Sequence, residues 1–219
     1  MKTFFTTLLI FLALFAIFGV VFYDDLMDFF FGQYACAEKP VIYLHPTEET
    51  DVSVRLRLNG DLTVSYPAYP ADGWFVTTSP DGTLTDSTGR SYDSLFWEAE
   101  LHTEYDLSSG FCVKGEDTAA FLEETLSALG LSELEANAFI VYWLPRMLQN
   151  PYNLITFQTT AYTDAAELDI TPTPDTVIRV FMVWQGLDDE IDIPAQTLPA
   201  APARDGFTVV EWGGTEITG

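Results

Sequence analysis

From Thr3 to Tyr23 the chain carries no charge. This run of 21 residues is mostly Phe, Leu, Ile, Val and Ala, and it lies between Lys2 and the acidic group Asp24, Asp25 and Asp28. As an α-helix at about 1.5 Å per residue it would span roughly the 30 Å of a bilayer's hydrocarbon core. Its apolar residues cover the whole circumference, so such a helix must be deeply buried or in lipid. At the extreme N-terminus the lipid or signal reading is the better one. Basic residues stay on the cytoplasmic side, which puts the N-terminus inside and the rest of the chain outside. The expected organisation is therefore a signal anchor or signal peptide over 1–23, a juxtamembrane link over 24–38 and one extracytoplasmic domain over 39–219.

Whether the segment is cleaved turns on Ala35-Cys36-Ala37, a small-x-small site of signal-peptidase type. A secretory apolar region is about 7–15 residues long, shorter than this one. The site also lies 14 residues beyond Tyr23. An uncleaved anchor in a bacterial cell membrane is the favoured expectation, and secretion after a cut following Ala37 is the alternative. A lipoprotein acylated at Cys36 fits less well, because Gln33 and Tyr34 replace the aliphatic and small residues such a site needs. Outside the cytoplasm a disulfide between Cys36 and Cys112 is permitted, and it is lost if the chain is cut after Ala37.

The formal charge is −24. The first 37 residues hold one Lys and three Asp, so −22 of it belongs to the remainder. Such a surface repels polyanions and excludes nucleic acid as a partner. Anionic headgroups repel it too, so attachment to a membrane falls to the N-terminal segment. A cell-wall or protein partner is the remaining expectation. The charge itself is explained by solubility.

The domain opens with strand signals. Val41-Ile42-Tyr43-Leu44 is a short β run closed by Pro46. Val52, Val54, Leu56 and Leu58 then alternate with Ser53, Arg55 and Arg57, and after Asn59-Gly60 the alternation resumes with Leu62, Val64 and Tyr66. This predicts a hairpin in which Leu58 opposes Leu62, closed by a three-residue connection over 59–61 or by a bulge. Strands over 74–79, 83–85 and 92–100, with turns at Pro80-Asp81-Gly82 and Ser87-Thr88-Gly89, extend this into a meander.

After Gly115 the period changes. Phe121, Leu122, Leu126 and Leu129 have helical spacing, and Gly130 stands where a terminating glycine belongs. Ser132 and Glu135 form a capping box for a second helix, with Leu134, Phe139, Tyr142, Trp143 and Met147 on its apolar side. Pro145 predicts a kink or stop near Tyr142. Strands return over 152–158, 176–184 and 207–212. The second is the most apolar, is expected to be central, and contains Arg179, which needs a carboxylate partner if buried. Residues 188–205 read as a loop or solvated arm. The fold class is α+β: a mainly antiparallel sheet with an αα-hairpin packed on it, preceded by a transmembrane or signal segment.

Three stretches, Lys39-Pro40-Val41-Ile42-Tyr43-Leu44-His45-Pro46, Leu95-Phe96-Trp97-Glu98 and Pro174 to Met182, resemble a family of uncharacterised bacterial proteins. After an export signal these proteins begin with a Lys-Pro-Val-Ile-Tyr-Leu-Tyr-Pro-type motif. The resemblance covers about residues 39–214. It departs at His45, where the motif has Tyr. It implies a bacterial extracytoplasmic domain and assigns no catalytic residue.

The sharpest candidate site is the alternating set Glu98, Glu100 and His102, continued by Glu104. Side chains two apart on a strand share a face, and neighbours there could converge on a divalent cation through oxygen and nitrogen ligands. The plain alternative is a solvated strand face opposite Leu95, Trp97, Ala99 and Leu101. No other cofactor is expected. A glycosidase pair from Glu98 or Glu100 with Glu211 is conceivable at the separations such enzymes use, but in so acidic a chain chance pairs abound. The Asp188–Asp192 run lacks the EF-hand spacing. Tyr66, Tyr69, Trp74, Trp97 and Trp212, if exposed, could stack on sugar rings or anchor a partner; most are expected in the core. Two functions follow: a non-enzymatic binding or cell-envelope module, and, as the alternative, an extracytoplasmic hydrolase or metal-dependent enzyme using the strand carboxylates.

Overall fold

The computed structural model describes residues 34–217. The expected membrane or signal segment over 1–23 lies outside them, as does most of the link. Among the described residues no helix is long and apolar enough to cross a membrane. The strands are β1 (Tyr34–His45), β2 (Thr50–Leu58), β3 (Gly60–Tyr66), β4 (Trp74–Thr78), β5 (Leu84–Thr85), β6 (Ser91–Tyr92), β7 (Leu95–His102), β8 (Phe111–Lys114), β9 (Tyr152–Phe157), β10 (Ala166–Thr171), β11 (Thr176–Leu187) and β12 (Thr208–Glu216). Among the described residues three α-helices, α1 (Thr118–Ala128), α2 (Glu133–Met147) and α3 (Thr159–Ala165), interrupt them. β1 starts at Tyr34, so residues 34–38, read from the sequence as link, belong to the first strand.

A seven-stranded sheet in the order β3-β7-β1-β12-β11-β9-β8 forms the centre, and a five-stranded sheet, β10-β2-β4-β5-β6, covers one of its faces. The pairings β1–β12, β3–β7, β9–β11 and β8–β9 are antiparallel, as are those of the smaller sheet. β11 and β12 run parallel. The fold is thus α+β and built mostly of antiparallel sheet.

Strand alternation divides the core in two. Along β11, Phe181 and Val183 face the smaller sheet and meet Val54, Trp74, Val76 and Ile170. Ile178, Val180, Met182 and Trp184 face the other way and meet Leu122 and Leu126 of α1 and Phe139, Trp143 and Met147 of α2. A strand buried on both faces reads as a continuous apolar run, which is why 176–184 stands out in the sequence.

The parallel pairing of β11 with β12 has a cost in chain length. A tight turn cannot join parallel strands, so the chain must return to the far end of the sheet. Residues 188–207 make that return. Leu198 and buried Phe207 pack against the two cores, and polar bonds pin the run: the Gln196 amide donates to Phe157 O and accepts from Phe157 N, at 2.7 and 2.8 Å, while Arg204 donates to Gly130 O at 2.8 Å. The run read as an arm is the crossover.

Both helix-end signals act as expected. Gly130 has φ +99°, and Leu131 N donates to Leu126 O and Gly130 N to Ser127 O, the paired bonds of a Schellman stop. Ser132 and Glu135 close the capping box. α2, however, does not stop near Tyr142; it runs through Pro145 to Met147. Packing of Trp143 and Met147, both fully buried, outweighs the missing donor. Leu134, expected on the apolar side, is exposed.

The hairpin expected at Asn59-Gly60 is not formed. β2 pairs with β10 and β4 in the smaller sheet, whereas β3 pairs with β7 in the larger one. Asn59-Gly60 is the corner at which the chain changes sheets. A Cβ on Gly60 would lie 2.0 Å from Glu100 O, so the glycine serves close approach to β7 rather than a two-strand turn. Local alternation could not reveal that β10, more than 100 residues away, takes the edge of β2.

Candidate functional site

β7 shows the alternation read from the sequence: Leu95, Trp97, Ala99 and Leu101 are buried, Glu98 is half-buried, and Glu100 and His102 are exposed. Lys39 N donates to Glu98 Oε1 at 3.3 Å. Burial first, then the nearby carboxylates of Glu38, Glu98 and Glu100, push the Cys36 thiol up, so the sheet gathers acidic groups beside β1. Among the described residues no set of three or more His, Cys, Asp or Glu side chains comes together to hold a metal ion. Cys36 and Cys112 are both free thiols.

Glu211 cannot partner Glu98 or Glu100 across a sugar. It is fully buried and faces the interior between the sheets, where Trp97 Nε1 donates to its Oε1 at 3.1 Å and Arg179 Nε to its Oε2 at 2.6 Å. Glu98 is on the opposite face of the sheet. Glu211 is instead the carboxylate that buried Arg179 requires, supplied by the parallel register that sets Arg179 beside it. Tyr162 of α3 stacks under the guanidinium at 4.8 Å.

The site the sequence did not reveal lies on the helix side of the central sheet. There β1, α2 and the segment from β6 to β7 enclose an open cleft of about 960 Å³, lined by Lys39, Val41, Tyr43, Tyr66, Tyr92, Asp93, Phe96, Tyr142 and Trp212 among others. It continues into a second hollow of about 560 Å³ that reaches His45 and Glu135 and shares Tyr43, Ser91, Tyr92, Asp93 and Ala138 with the first. Strand period explains one wall: Lys39, Val41, Tyr43 and His45 are alternate residues of β1. Helical period explains the other: Glu135, Ala138 and Tyr142 recur at three and four, and small Ala138 leaves the gap open. Two of the three resembling stretches, those around Lys39 and Phe96, therefore meet here. The Lys-Pro-Val-Ile-Tyr-Leu-His run itself held the signal, since its polar residues alternate.

Backbone strain sits at one end of the cleft. Lys39 has φ +58°, uncommon for any residue but glycine, and it precedes a proline. The β1–β12 register slips there, between Glu38 and Val41. The consequence is that Lys39 Nζ lies over the rings of Phe96, at 4.7 Å, and Tyr142, at 5.6 Å. Burial pushes the Tyr43 hydroxyl up to about 12 and raises Tyr142 as well, so both remain neutral hydrogen-bonding groups. At the other end Glu135, 4% exposed, accepts from His45 Nε2 at 2.9 Å, from Arg204 and from Ser132 N at 2.7 Å. Burial alone would raise this carboxyl; the bonds from His45, Arg204 and Ser132 outweigh it and hold it at about 2.

Over 64 residues the chain is 48% identical to a protein of Butyrivibrio fibrisolvens described as "Uncharacterized protein in bglA 3'region". The match takes in 28% of this chain and 66% of that protein, just under two thirds of its length. No protein family and no solved structure matches. The chain is similar to an uncharacterised bacterial protein, as the resembling stretches imply.

Proposed function

We propose that this chain is a non-enzymatic binding module of the bacterial cell envelope, held outside the membrane by its N-terminal segment, and that its cleft binds saccharide. The cleft's lining is the observation that carries the reading. Tyr43, Tyr66, Tyr92, Tyr142 and Phe96 offer ring faces for the apolar side of a sugar. The hydroxyls of the tyrosines, of Ser91 and of Ser94, with Asp93, offer bonds to the sugar's own hydroxyls. Ligand sites combine apolar walls with a few placed polar groups in this way. Strained Lys39 fits such a role, because backbone outliers concentrate where function requires them. The resemblance to exported bacterial proteins and the apolar run over residues 3–23 support the location.

Calorimetric titration of the full-length chain with soluble wall fragments and oligosaccharides tests it. Tyr142→Ala and Tyr92→Ala should each weaken binding by about fivefold, since stacking of this kind is worth on the order of 1 kcal/mol. Binding unaffected by both changes would remove the cleft from the function.

A further inference from the structure

The central sheet closes one of its edges and leaves the other bare. At β8 the crossover runs alongside: Gly110, which leads into that strand, bridges Ala195 and donates to Pro194 O at 2.9 Å. At the opposite edge β3 has β7 as its one sheet neighbour among the described residues. Four residues of β3 in a row, Asp61 to Val64, are exposed, so neither face of the strand is covered there. An edge of this kind presents a row of unpaired N–H and C=O groups, and soluble proteins blunt it with Lys, Pro or a covering segment. β3 contains neither Lys nor Pro and exposes Leu62 and Val64 instead. A bulge between these two sets Leu62 on the face of Ala99 and Val64 on that of Glu98, so a strand added here meets an apolar neighbour on each face.

The charges beside this edge are of one sign. Asp61 stands directly opposite Glu100, with Glu98 on the same face of β7, and like charges so placed are destabilising. Among the described residues none of the three is in an ion pair. We propose that β3 is a docking edge for an extended segment of a basic protein partner. The segment joins the seven-stranded sheet beyond β3, with apolar residues against Leu62 and Val64 and with Lys or Arg beside Asp61 and Glu100. An added strand lies about 4.8 Å from β3, so long basic side chains reach Asp61 directly and Glu100 across it. Main-chain bonds supply the affinity and the alternating side chains the selection. A second copy of this chain fits poorly: β3 carries no cation, and pairing it with itself sets two Asp61–Glu100 pairs against each other. None of Asp61, Leu62 and Val64 lines the cleft, so this surface stands apart from the saccharide reading.

The test is titration of the full-length chain with short synthetic peptides in which Val alternates with Lys or Arg. Each is run beside a counterpart carrying Glu for every cation and a counterpart N-methylated on alternate backbone amides, and amide exchange is followed over residues 60–66. The basic peptides should bind at least about tenfold more tightly than the Glu ones, the worth of a charge-assisted bond, and should slow exchange in β3. N-methylation should abolish binding, because it removes donors that a strand ladder needs. Asp61→Asn combined with Glu100→Gln should erase the preference for cations. Val64→Thr, which keeps a strand-forming side chain but adds a hydroxyl, should weaken binding of every peptide. Equal binding of basic and acidic peptides overturns the basic partner. Undiminished binding of the N-methylated peptides overturns strand addition and leaves only attraction to an acidic surface. A dimer of the chain alone that protects the same amides gives the edge to a second copy and overturns the proposal. No binding by any basic peptide also overturns it and leaves the saccharide reading standing.

Discussion

Glu135 joins three parts of the protein at one carboxylate: the end of β1 through His45, the start of α2 through Ser132, and the crossover through Arg204. Its depressed pKa makes the junction sensitive to acid. The folded value of about 2 lies below the ordinary 4.5, so its contribution is complete above pH 4.5 and is lost as pH falls through 2. A difference of that size corresponds to about 3 kcal/mol. Denaturation of wild type and Glu135→Gln across pH 2 to 6 should therefore show the wild-type advantage shrinking by that order toward the acid end. Parallel curves would mean that the carboxylate is not held by these partners. The strand-face residues Glu98, Glu100 and His102 differ in kind, spread along β7 at alternate positions. If they bind a divalent ion, saturating zinc or calcium raises the melting temperature of the wild type but not of the double change Glu98→Gln, Glu100→Gln. An equal rise in both proteins would mean only the screening of a negative surface, and the site would then be dropped.

Elements whose signals are local were legible in the sequence. The capping box at Ser132, the stop at Gly130 and the doubly buried strand around Arg179 all follow from neighbours within a few residues, and even the partner of Arg179 was demanded by its burial, though not named. What failed depends on distant segments. The pairing of β2 with β10 overrides an apparent hairpin, and the cleft exists only because α2 crosses β1 with Ala138 at the gap. Pro145 shows the same competition within one element. Proline in a helix interior costs about 3 kcal/mol relative to alanine, yet α2 continues past it because Trp143 and Met147 are buried. The ring is itself exposed, so little packing is lost with it. Pro145→Ala should stabilise the protein by about 1–3 kcal/mol, the lower figure allowing for the greater freedom of the unfolded alanine chain. A raised midpoint in urea would show it; a lowered one would mean that α2 depends on the bend proline imposes.

For the whole molecule, the question of cleavage becomes one of packing. Ala37 is fully buried among the residues between the two sheets, and β1 extends upstream of it to Tyr34. A cut after Ala37 would delete that buried methyl group and start the chain at Glu38, the first residue whose pairing with β12 is defined, opposite Gly214. The strand would begin at its own bulge, with the strained Lys39 as its second residue and nothing ahead of it to hold the turn. Retention of the upstream residues is therefore the expected state, and with it attachment through the apolar run. Cys36 provides the probe, because it is an exposed free thiol whereas Cys112 is partly covered. A membrane-impermeant maleimide applied to intact cells at mildly alkaline pH, to ionise the raised Cys36 thiol, should label the wild type more than Cys36→Ser, with the labelled chain keeping the mass of the full sequence. A chain that starts at Glu38 and has lost Cys36 would instead establish secretion by cleavage. Labelling of Cys36 only after lysis would reverse the orientation that Lys2 and the following aspartates imply, and the proposed envelope ligand would then be out of reach.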